Sequence, residues 1–305
     1  MKYDIIGDIH GHVLPLVQLL KKLGYYHKNG YYQHPEGRKV IFLGDFIDRG
    51  PNIRETLHLV KNMTDNGSAE AIMGNHEYNA ICYHLKSQNN EGYVRIHNEK
   101  NTAQHAETLA EFQASPLEWD AWIEWFLQLP LFIEKENFRA VHACWDDNLI
   151  AHLKSIAPEN KLSIEVIHES QEKETQNYEA IERTLKGKET TLPFGLFFLD
   201  KDGHQRTEVR TRWWLDAEGR DYNEYFMHVM PELAGKKFEF GKIEDNIHYP
   251  SAELPVFFGH YWLNGEPELQ THNVVCLDYS VAKGGELVAY RWNGESTLKK
   301  EALIY

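Results

Sequence analysis

The sequence predicts an α/β fold, because short apolar runs typical of buried strands alternate with segments of helical periodicity. Five such runs occupy residues 3–6, 39–43, 69–73, 138–141 and 255–258. Strands that alternate with helices form βαβ units, whose parallel strands end at one edge of a sheet. Residues that directly follow different strands can therefore meet in space.

Helices are predicted directly after the first three runs. Residues 12–23 present an apolar face and stop before Gly24, whereas residues 53–63 begin shortly after Pro51. A third helix is predicted from Glu77 onward. Strand, loop and helix therefore repeat three times.

An aromatic stripe lies in residues 119–129, where Trp119, Trp122 and Phe126 recur at helical spacing. Such a stripe suits either a base-stacking surface or the core of the protein. Core packing is far commoner at this spacing, so we expect these rings to be buried.

The pattern changes between residues 150 and 250, where a charged stretch precedes an aromatic-rich run. Because the strand pattern resumes near residue 255, we expect an inserted cap or specificity region within a single domain, 1–305. No linker rich in Pro, Gly or Ser divides the chain. Residues 274–279 and 286–292 alternate like strands and predict a closing β-hairpin.

Composition argues against several classes of protein. The 305 residues, 42% of them apolar, can fill a substantial core, and the formal charge of -14 argues against binding long duplex nucleic acid. Three cysteines without ligand spacing favour reduced thiols. The chain enters its first strand directly after Met1, and no apolar run approaches the roughly 18 residues of a membrane span. We therefore expect a cytoplasmic protein that does not bind membranes.

A polar cluster follows each of the five predicted strands. In chain order the clusters are Gly7-Asp8-Ile9-His10-Gly11, Gly44-Asp45-Phe46-Ile47-Asp48-Arg49-Gly50, Gly74-Asn75-His76-Glu77, Val141-His142-Ala143 and Gly259-His260. Their carboxylate, amide and imidazole groups suit manganese, iron or zinc, and no thiolate is required. The clusters predict a metal centre built from distant parts of the chain.

These clusters resemble those of the calcineurin-like metallophosphoesterase superfamily, in particular its branch of phosphoprotein phosphatases and symmetrical diadenosine tetraphosphate hydrolases. One cluster alone arises by chance, but all five in family order are specific. Leu277-Asp278 and Gly284-Gly285-Glu286-Leu287 extend the likeness to the C-terminal strands. The resemblance implies a β-sandwich core flanked by helices and two bound divalent metal ions, with manganese favoured over iron or zinc.

The resemblance also implies the metal ligands. Asp45 would bridge the two metals, and the full set is Asp8, His10, Asp45, Asn75, His142 and His260. The first metal would take Asp8, His10 and Asp45, and the second would take Asp45 with the other three. Two cations about 3.5 to 4 Å apart acidify a shared water, so a metal-bridging hydroxide would attack phosphorus directly.

Three residues carry the remaining chemistry that the resemblance implies. His76 would protonate the leaving group, which is worth about 10² to 10⁴ in rate. Asp48 would orient His76. Arg49 would grip two phosphate oxygens with its planar guanidinium.

Further residues are candidates for substrate contacts. A second clamp arginine is expected between the last two ligands, where Arg210 and Arg212 are both candidates. Tyr261-Trp262 stands where many relatives carry a small residue and proline, so we interpret Tyr261 as narrowing the pocket or stacking on a substrate ring. Cys144 is interpreted as a small buried residue rather than a thiol near the metals.

The leading hypothesis is a dinuclear-metal-dependent phosphatase that hydrolyses phosphomonoesters, with phosphorylated Ser, Thr or Tyr residues of proteins as one candidate substrate class. The alternative is a nucleotide hydrolase acting on diadenosine polyphosphates or on terminal or cyclic nucleic-acid phosphates, with Trp213 and Trp214 stacking on a base. His10 favours the first hypothesis, since some dinucleotide hydrolases of this branch carry Gln there, whereas Asp278 and the Leu-Pro-Leu run at 129–131 favour the second. A third hypothesis is a metal-binding interaction protein without catalysis, but the presence of Asp48, Arg49 and His76 argues against it.

Overall fold

The computed structural model describes residues 1–88, 91–199, 203, 205–240 and 245–305. The strands within these ranges are β1 (Tyr3–Ile6), β2 (Tyr26–Lys28), β3 (Tyr31–Gln33), β4 (Lys39–Phe42), β5 (Ala69–Ala71), β6 (Phe132–Lys135), β7 (Phe138–Val141), β8 (Glu189–Thr191), β9 (Phe198–Leu199), β10 (Gln205–Arg206), β11 (Glu208–Arg210), β12 (Val256–Phe258), β13 (Val274–Cys276), β14 (Asp278–Tyr279), β15 (Glu286–Leu287), β16 (Ala289–Trp292) and β17 (Leu303–Ile304).

Ten α-helices lie in the same described ranges. They are α1 (Val13–Lys22), α2 (Ile53–Asp65), α3 (Asn75–His84), α4 (Glu99–Gln104), α5 (Ala106–Phe112), α6 (Pro116–Phe126), α7 (Asp147–Ile156), α8 (Ile164–Glu169), α9 (Gln176–Lys186) and α10 (Tyr222–Tyr225). Single 3₁₀ turns occur at Pro158–Asn160, Pro193–Gly195, Pro231–Leu233, Val281–Lys283 and Lys300–Ala302. None of the described helices has the length and apolar character needed to cross a lipid bilayer.

Two sheets form the centre of the molecule. The first has the order β17-β16-β1-β4-β5 with β1, β4 and β5 parallel, and the second has the order β13-β12-β7-β6 with β13, β12 and β7 parallel. Apolar side chains from both sheets form one cluster that includes Tyr3, Ile41, Phe138, Phe257 and Tyr290. The two sheets therefore pack face to face, which confirms the α/β fold with a β-sandwich core.

Helices cover the outer face of the first sheet. Their apolar residues recur every three or four positions, as at Leu16, Leu19 and Leu20 in α1 and at Leu57 and Val60 in α2, and all of these are buried. They pack in the same cluster as the outward-facing side chains of β1 and β4. Burial of each such side chain contributes about 1.5 to 3 kcal/mol.

The predicted strands are confirmed, and β4, β5 and β12 are each one or two residues shorter than expected. The chain leaves β4 before Gly44, which adopts φ +91°. Helix α3 begins earlier than predicted, at Asn75, where the Glu77 carboxylate in the first turn accepts a hydrogen bond from the amide of the N-cap residue Gly74. In α6, Trp122 and Phe126 are buried and Trp119 packs against them, so the aromatic stripe belongs to the core.

The predicted closing hairpin is correct only at its tip. Strands β14 and β15 pair antiparallel, but β13 pairs with β12 in the second sheet and β16 pairs with β1 in the first. Leu277, between β13 and β14, is buried and still donates its amide to the Phe258 carbonyl of β12, so the chain reaches the first sheet only at β16. A period-two pattern does not specify which sheet a strand joins.

The described part of residues 150–250 carries helices α8 and α9, followed by the strand pairs β8–β11 and β9–β10. It has a small apolar cluster separate from the main core, which includes Leu192, Val209, Tyr225, Phe226 and Leu233.

Candidate functional site

The polar clusters converge on Asp45. The ligand atoms of His10, Asp45 and His76 lie within 4.8 Å of one another, and so do those of Asp45, His142 and His260. All five side chains are buried. Residues that follow strands of both sheets therefore surround a single shared carboxylate.

Several residues of the site lie in loops with strained backbone conformations. His10, Asp45, Asp48, Arg49 and His260 all adopt left-handed backbone conformations, with φ between 46° and 69°. Residues other than glycine rarely adopt this region, and each such residue costs about 1 to 3 kcal/mol. Six of the eleven described non-glycine residues with positive φ, these five and Trp262, lie at this site.

Two glycines allow the clusters to approach one another. A Cβ atom on Gly74 would lie 2.2 Å from Oδ1 of Asp45, and one on Gly259 would lie 2.0 Å from Oδ1 of Asp8. No larger residue fits at either position. The His260 amide, next to Gly259, donates to Oδ2 of Asp8 at 3.0 Å.

Hydrogen bonds to the main chain orient two histidines. Nδ1 of His10 donates to the Ile47 carbonyl at 2.9 Å, and Nδ1 of His142 donates to the Leu43 carbonyl at 2.7 Å. A histidine held in this way turns Nε2 toward the site, as metal-binding histidines do. Nε2 of His142 lies 3.0 Å from Oδ1 of Asn75.

Several buried polar atoms fit a metal centre. Among the described residues, Nε2 of His10, Oδ2 of Asp45 and both ring nitrogens of His260 have no hydrogen-bond partner. Leaving such atoms buried and unsatisfied costs about 1 to 3 kcal/mol each, and ligation of divalent metal ions would satisfy them. The mixture of imidazole and carboxylate donors fits such ions.

Asp8 lies beside this group rather than within it. The tight group around His10 is completed by His76, whereas Asp8 accepts the His260 amide and lies close to Asp278. Burial and then the negative charges of Asp278 and Asp45 raise the pKa of Asp8. Three buried carboxylates so close together favour a bound cation.

A second set of contacts joins Asp48, His76 and Arg49. Nδ1 of His76 donates to Oδ2 of Asp48 at 2.5 Å, and the Arg49 guanidinium donates to Nε2 of His76 at 3.2 Å. Burial lowers the pKa of His76, but the negative charges of Asp45 and Asp48 outweigh it and raise that pKa. The sequence-predicted acid, its orienting carboxylate and the phosphate clamp are therefore in contact.

Three residues at the site had no predicted role. Nδ1 of His105 and the Thr108 hydroxyl each donate to Oδ1 of Asp48 at 2.6 Å. Glu77 accepts the amides of Asp45 and Phe46 at 2.9 and 2.8 Å. Glu77 lies in the first turn of α3, where an acidic residue is a local signal of a helix start, but nothing local marks His105, which is 57 residues from Asp48.

Trp262 and Tyr261 point in different directions. Trp262, at φ 51°, lines the cavity beside the site, and its amide donates to Oδ2 of Asp278 at 2.7 Å. Tyr261 is 4% exposed, and its hydroxyl donates to the Thr211 carbonyl. The expectation that Tyr261 faces the substrate is therefore not met, because the left-handed residue after it turns the chain.

The two candidate arginines also differ. Arg210 lines the cavity together with His260, and its guanidinium lies 3.5 Å from the His260 carbonyl oxygen. Arg212 instead donates to main-chain carbonyls, including those of Glu224 and Phe226. The chain leaves strand β11 after Arg210, so the two side chains do not share a face.

Trp213, Trp214 and Cys144 are buried in the main core. The indole of Trp213 donates to the Ala143 carbonyl at 3.0 Å. These tryptophans do not offer a base-stacking surface here, which corrects that part of the nucleotide hypothesis. The buried position of Cys144 agrees with its interpretation as a small packing residue.

A cavity of about 580 Å³ opens beside the site. Its lining includes Arg49, Arg210 and His260 together with the aromatic residues Phe198 and His228. The rings of Phe198 and His228 are stacked, with centroids 4.2 Å apart and planes at 17°. The cavity therefore combines cationic and aromatic walls.

Comparison with known proteins agrees with this geometry. The family described as calcineurin-like phosphoesterase matches residues 1–261. An asymmetrical bis(5'-nucleosyl)-tetraphosphatase of Oceanobacillus iheyensis is 36% identical over 154 residues, which are 49% of this chain and 59% of that protein. In its Halalkalibacterium halodurans counterpart the match, 47% identical, covers 25% of this chain and 31% of that protein. The chain therefore spans less than two thirds of the length of these relatives.

A symmetrical bis(5'-nucleosyl)-tetraphosphatase of Marinomonas sp. is 25% identical over 94% of this chain and 92% of its own length. Among solved structures, a cold-active protein tyrosine phosphatase has a TM-score of 0.51 and 17% identity, covering 100% of this chain and 80% of that chain. A protein serine/threonine phosphatase of Saccharomyces cerevisiae has a TM-score of 0.51 and 14% identity, covering 100% and 78%. At such identities the two structures support the fold alone.

Proposed function

This chain belongs to the calcineurin-like phosphoesterase family, and on that premise we propose that it is a divalent-metal-dependent phosphatase that hydrolyses phosphomonoesters, including phosphorylated Ser, Thr or Tyr side chains of proteins. The observation that carries the proposal is the position of Asp45, whose carboxylate belongs to both groups of ligand atoms. A carboxylate shared between two sets of nitrogen and oxygen donors is typical of two-metal hydrolases.

The residues that would hold the metals are Asp8, His10, Asp45, Asn75, His142 and His260. Their donor types favour manganese, with iron or zinc as alternatives. When bound, two divalent metals supply an activated water and neutralise charge on the phosphoryl group.

Arg49 would bind the phosphoryl oxygens, with Arg210 as the second clamp. In the structure, Arg49 donates to Nε2 of His76. Because arginine is only a donor, that contact requires an unprotonated Nε2. A phosphate that draws Arg49 away would free Nε2 to carry a proton, so substrate binding would prepare His76 for its role.

His76 would then protonate the departing oxygen. Asp48 holds Nδ1 of His76 and stabilises its charged form, since the hydrogen bond and the negative charge of Asp48 both raise the pKa of His76. Asp48 and His76 would therefore handle the leaving group directly beside the ligands that share the Asp45 carboxylate.

We also propose that residues 150–250 form a cap within one domain, 1–305. The support is that several residues of this segment, including Glu189, Phe198 and Arg210, line the same cavity as Arg49 and His260. Such an insertion would select substrates without changing the chemistry.

A second candidate is hydrolysis of nucleotides such as diadenosine polyphosphates, and the stacked Phe198–His228 pair favours it. A base on such a platform gains roughly 1 to 3 kcal/mol. The names of the sequence relatives point the same way. The aromatic platform of this candidate is therefore Phe198 and His228 rather than Trp213 and Trp214.

The experiment that separates the two candidates is a side-by-side assay of the manganese-loaded protein on a phosphopeptide and on diadenosine tetraphosphate. Release of phosphate from the peptide alone supports the phosphatase proposal. Cleavage of the dinucleotide alone supports the second candidate, and Phe198→Ala should then raise KM for the dinucleotide. Absence of both reactions in fully loaded protein would overturn both.

A further inference from the structure

Asp48 is held on both of its carboxylate oxygens. Oδ2 accepts from Nδ1 of His76, and Oδ1 accepts from Nδ1 of His105 and from the Thr108 hydroxyl. Thr108 also accepts the Asp48 amide at 3.1 Å. All four residues are buried. The carboxylate therefore bridges two imidazoles while a threonine binds both its side chain and its main chain.

The two outer partners come from one helical junction. His105 lies between α4 and α5, and Thr108 lies in the first turn of α5. Residues three apart face the same side of a helix. His105 and Thr108 therefore reach Asp48 together, and both are far from Asp48 in the sequence.

Chemistry determines the direction of these hydrogen bonds. An ionised carboxylate only accepts, so Nδ1 of both histidines must carry a proton. Burial raises the pKa of Asp48, but the hydrogen bonds from His105 and His76 outweigh burial and lower that pKa. Asp48 is thereby kept as an acceptor for His76.

Packing around His105 offers a competing explanation. Its ring centroid lies 5.5 Å from that of Tyr83 and 5.6 Å from that of Trp119. A residue that served only to fill this space would need a ring and no donor. A packing role therefore requires that a substituted side chain keep a ring, whereas a positioning role requires that it keep a hydrogen-bond donor.

We propose that His105 and Thr108 are positioning residues that fix the rotation of the Asp48 carboxylate, so that Oδ2 stays aligned with Nδ1 of His76 during proton donation to the leaving group. This inference rests on the proposed phosphoester hydrolysis. Loss of alignment by a residue outside the reacting atoms costs about 10- to 100-fold in rate.

The test compares two substitutions of His105. His105→Phe keeps a ring but removes the donor, whereas His105→Asn keeps a donor near the place of Nδ1 but removes the ring. We expect His105→Phe to lower kcat about 10- to 100-fold on an alkyl phosphate, whose leaving group needs the proton, and much less on a nitrophenyl phosphate. His105→Asn should stay within a few-fold of wild type on both substrates.

Thr108→Val, which is nearly isosteric, should lower kcat in the same substrate-dependent way. His97→Asn is the matched control, because His97 stacks on Tyr83 nearby but does not contact Asp48. Equal losses on both substrates, or activity retained by His105→Phe and lost by His105→Asn, would show a packing role and overturn the inference.

A second readout does not need turnover. The Nδ1 protons of His76 and His105, each in a short hydrogen bond to a carboxylate, should give proton resonances far downfield in nuclear magnetic resonance spectra. His105→Phe should remove one resonance and shift or broaden that of His76. If the wild-type protein hydrolyses no phosphate ester, the proposed function is wrong, whatever the spectra show. If the His76 resonance is unshifted in His105→Phe, the positioning role is wrong, whatever the activity.

Discussion

The guanidinium carbon of Arg49 lies 3.6 Å from the centroid of the Trp262 ring. The Lys283 ammonium lies 3.8 Å from the same centroid. An aromatic face holds a cation without occupying its hydrogen-bond donors as a carboxylate would. Arg49 is thus held in place while its donors remain suited to a phosphate.

Replacing Trp262 by Ala should therefore weaken phosphate binding. A cation–π contact is worth about 0.5 to 2 kcal/mol, so KM for a phosphate ester should rise about 2- to 30-fold. Trp262→Phe, which keeps an aromatic face, should recover most of the loss in steady-state kinetics. A fall in kcat with unchanged KM would contradict this role.

His76→Asn should remove the proton donor. We expect kcat to fall about 10² to 10⁴-fold on alkyl phosphates and far less on aryl phosphates with good leaving groups. The measurement is the slope of log kcat against the pKa of the leaving group, which should become steeper. An unchanged slope would show that His76 does not protonate the leaving group.

Lys283 can distinguish the two candidate substrate classes. A cavity of about 730 Å³ that includes His76 is lined by Lys100 and Lys283, together with Glu99 and Glu107. A leaving group protonated by His76 would lie there. If that group is an anionic nucleotide, Lys283→Gln should lower kcat/KM about 10-fold or more, since hydrogen bonds to charged groups are worth about 1.5 to 3 kcal/mol.

A phosphopeptide with a neutral leaving group should change less than 2-fold in the same variant. Lys61→Gln is the control, because Lys61 pairs only with Asp65 on the surface of α2 among the ion pairs of the described residues. A loss on both substrate classes would show that Lys283 supports Arg49 through Trp262 instead.

Metal binding should stabilise the fold. A bound cation removes the desolvation cost of the buried carboxylates and of the unsatisfied histidine nitrogens. Manganese at 100 times Kd should therefore add about 2.7 kcal/mol to the free energy of unfolding. Tm should rise by several degrees over that of chelator-treated protein. Asp45→Asn should lose both the bound metal, counted by elemental analysis, and the Tm increase. Asp65→Asn, at an exposed position, should keep two metals per chain.

Stability should also depend on a buried ion pair outside the group of metal ligands. Arg38 binds Asp4 with two parallel hydrogen bonds of 2.9 Å, and the two side chains are 4% and 0% exposed. Arg38→Ala leaves the Asp4 charge buried with fewer partners and should cost about 3 kcal/mol in urea unfolding. The surface substitution Lys61→Ala should lower the free energy of unfolding by less than about 1 kcal/mol. Equal losses in the two variants would contradict the importance of the buried pair.

The sequence alone was sufficient for the fold class, for the strand ends that carry the five clusters and for the family resemblance. These features depend on local patterns, since apolar periodicity and short motifs are visible within a few residues.

Only the tertiary structure decided contacts between distant segments. His105 and Thr108 meet Asp48 because a helical junction packs over the loop after β4, and no pattern near any of them signals that contact. Tyr261 is buried in the core and Trp262 lines the cavity because of a left-handed turn. Arg210 and Arg212 lie on different faces because strand β11 ends between them. Each outcome depends on backbone geometry and on neighbours brought together by packing, which residue types in sequence do not specify.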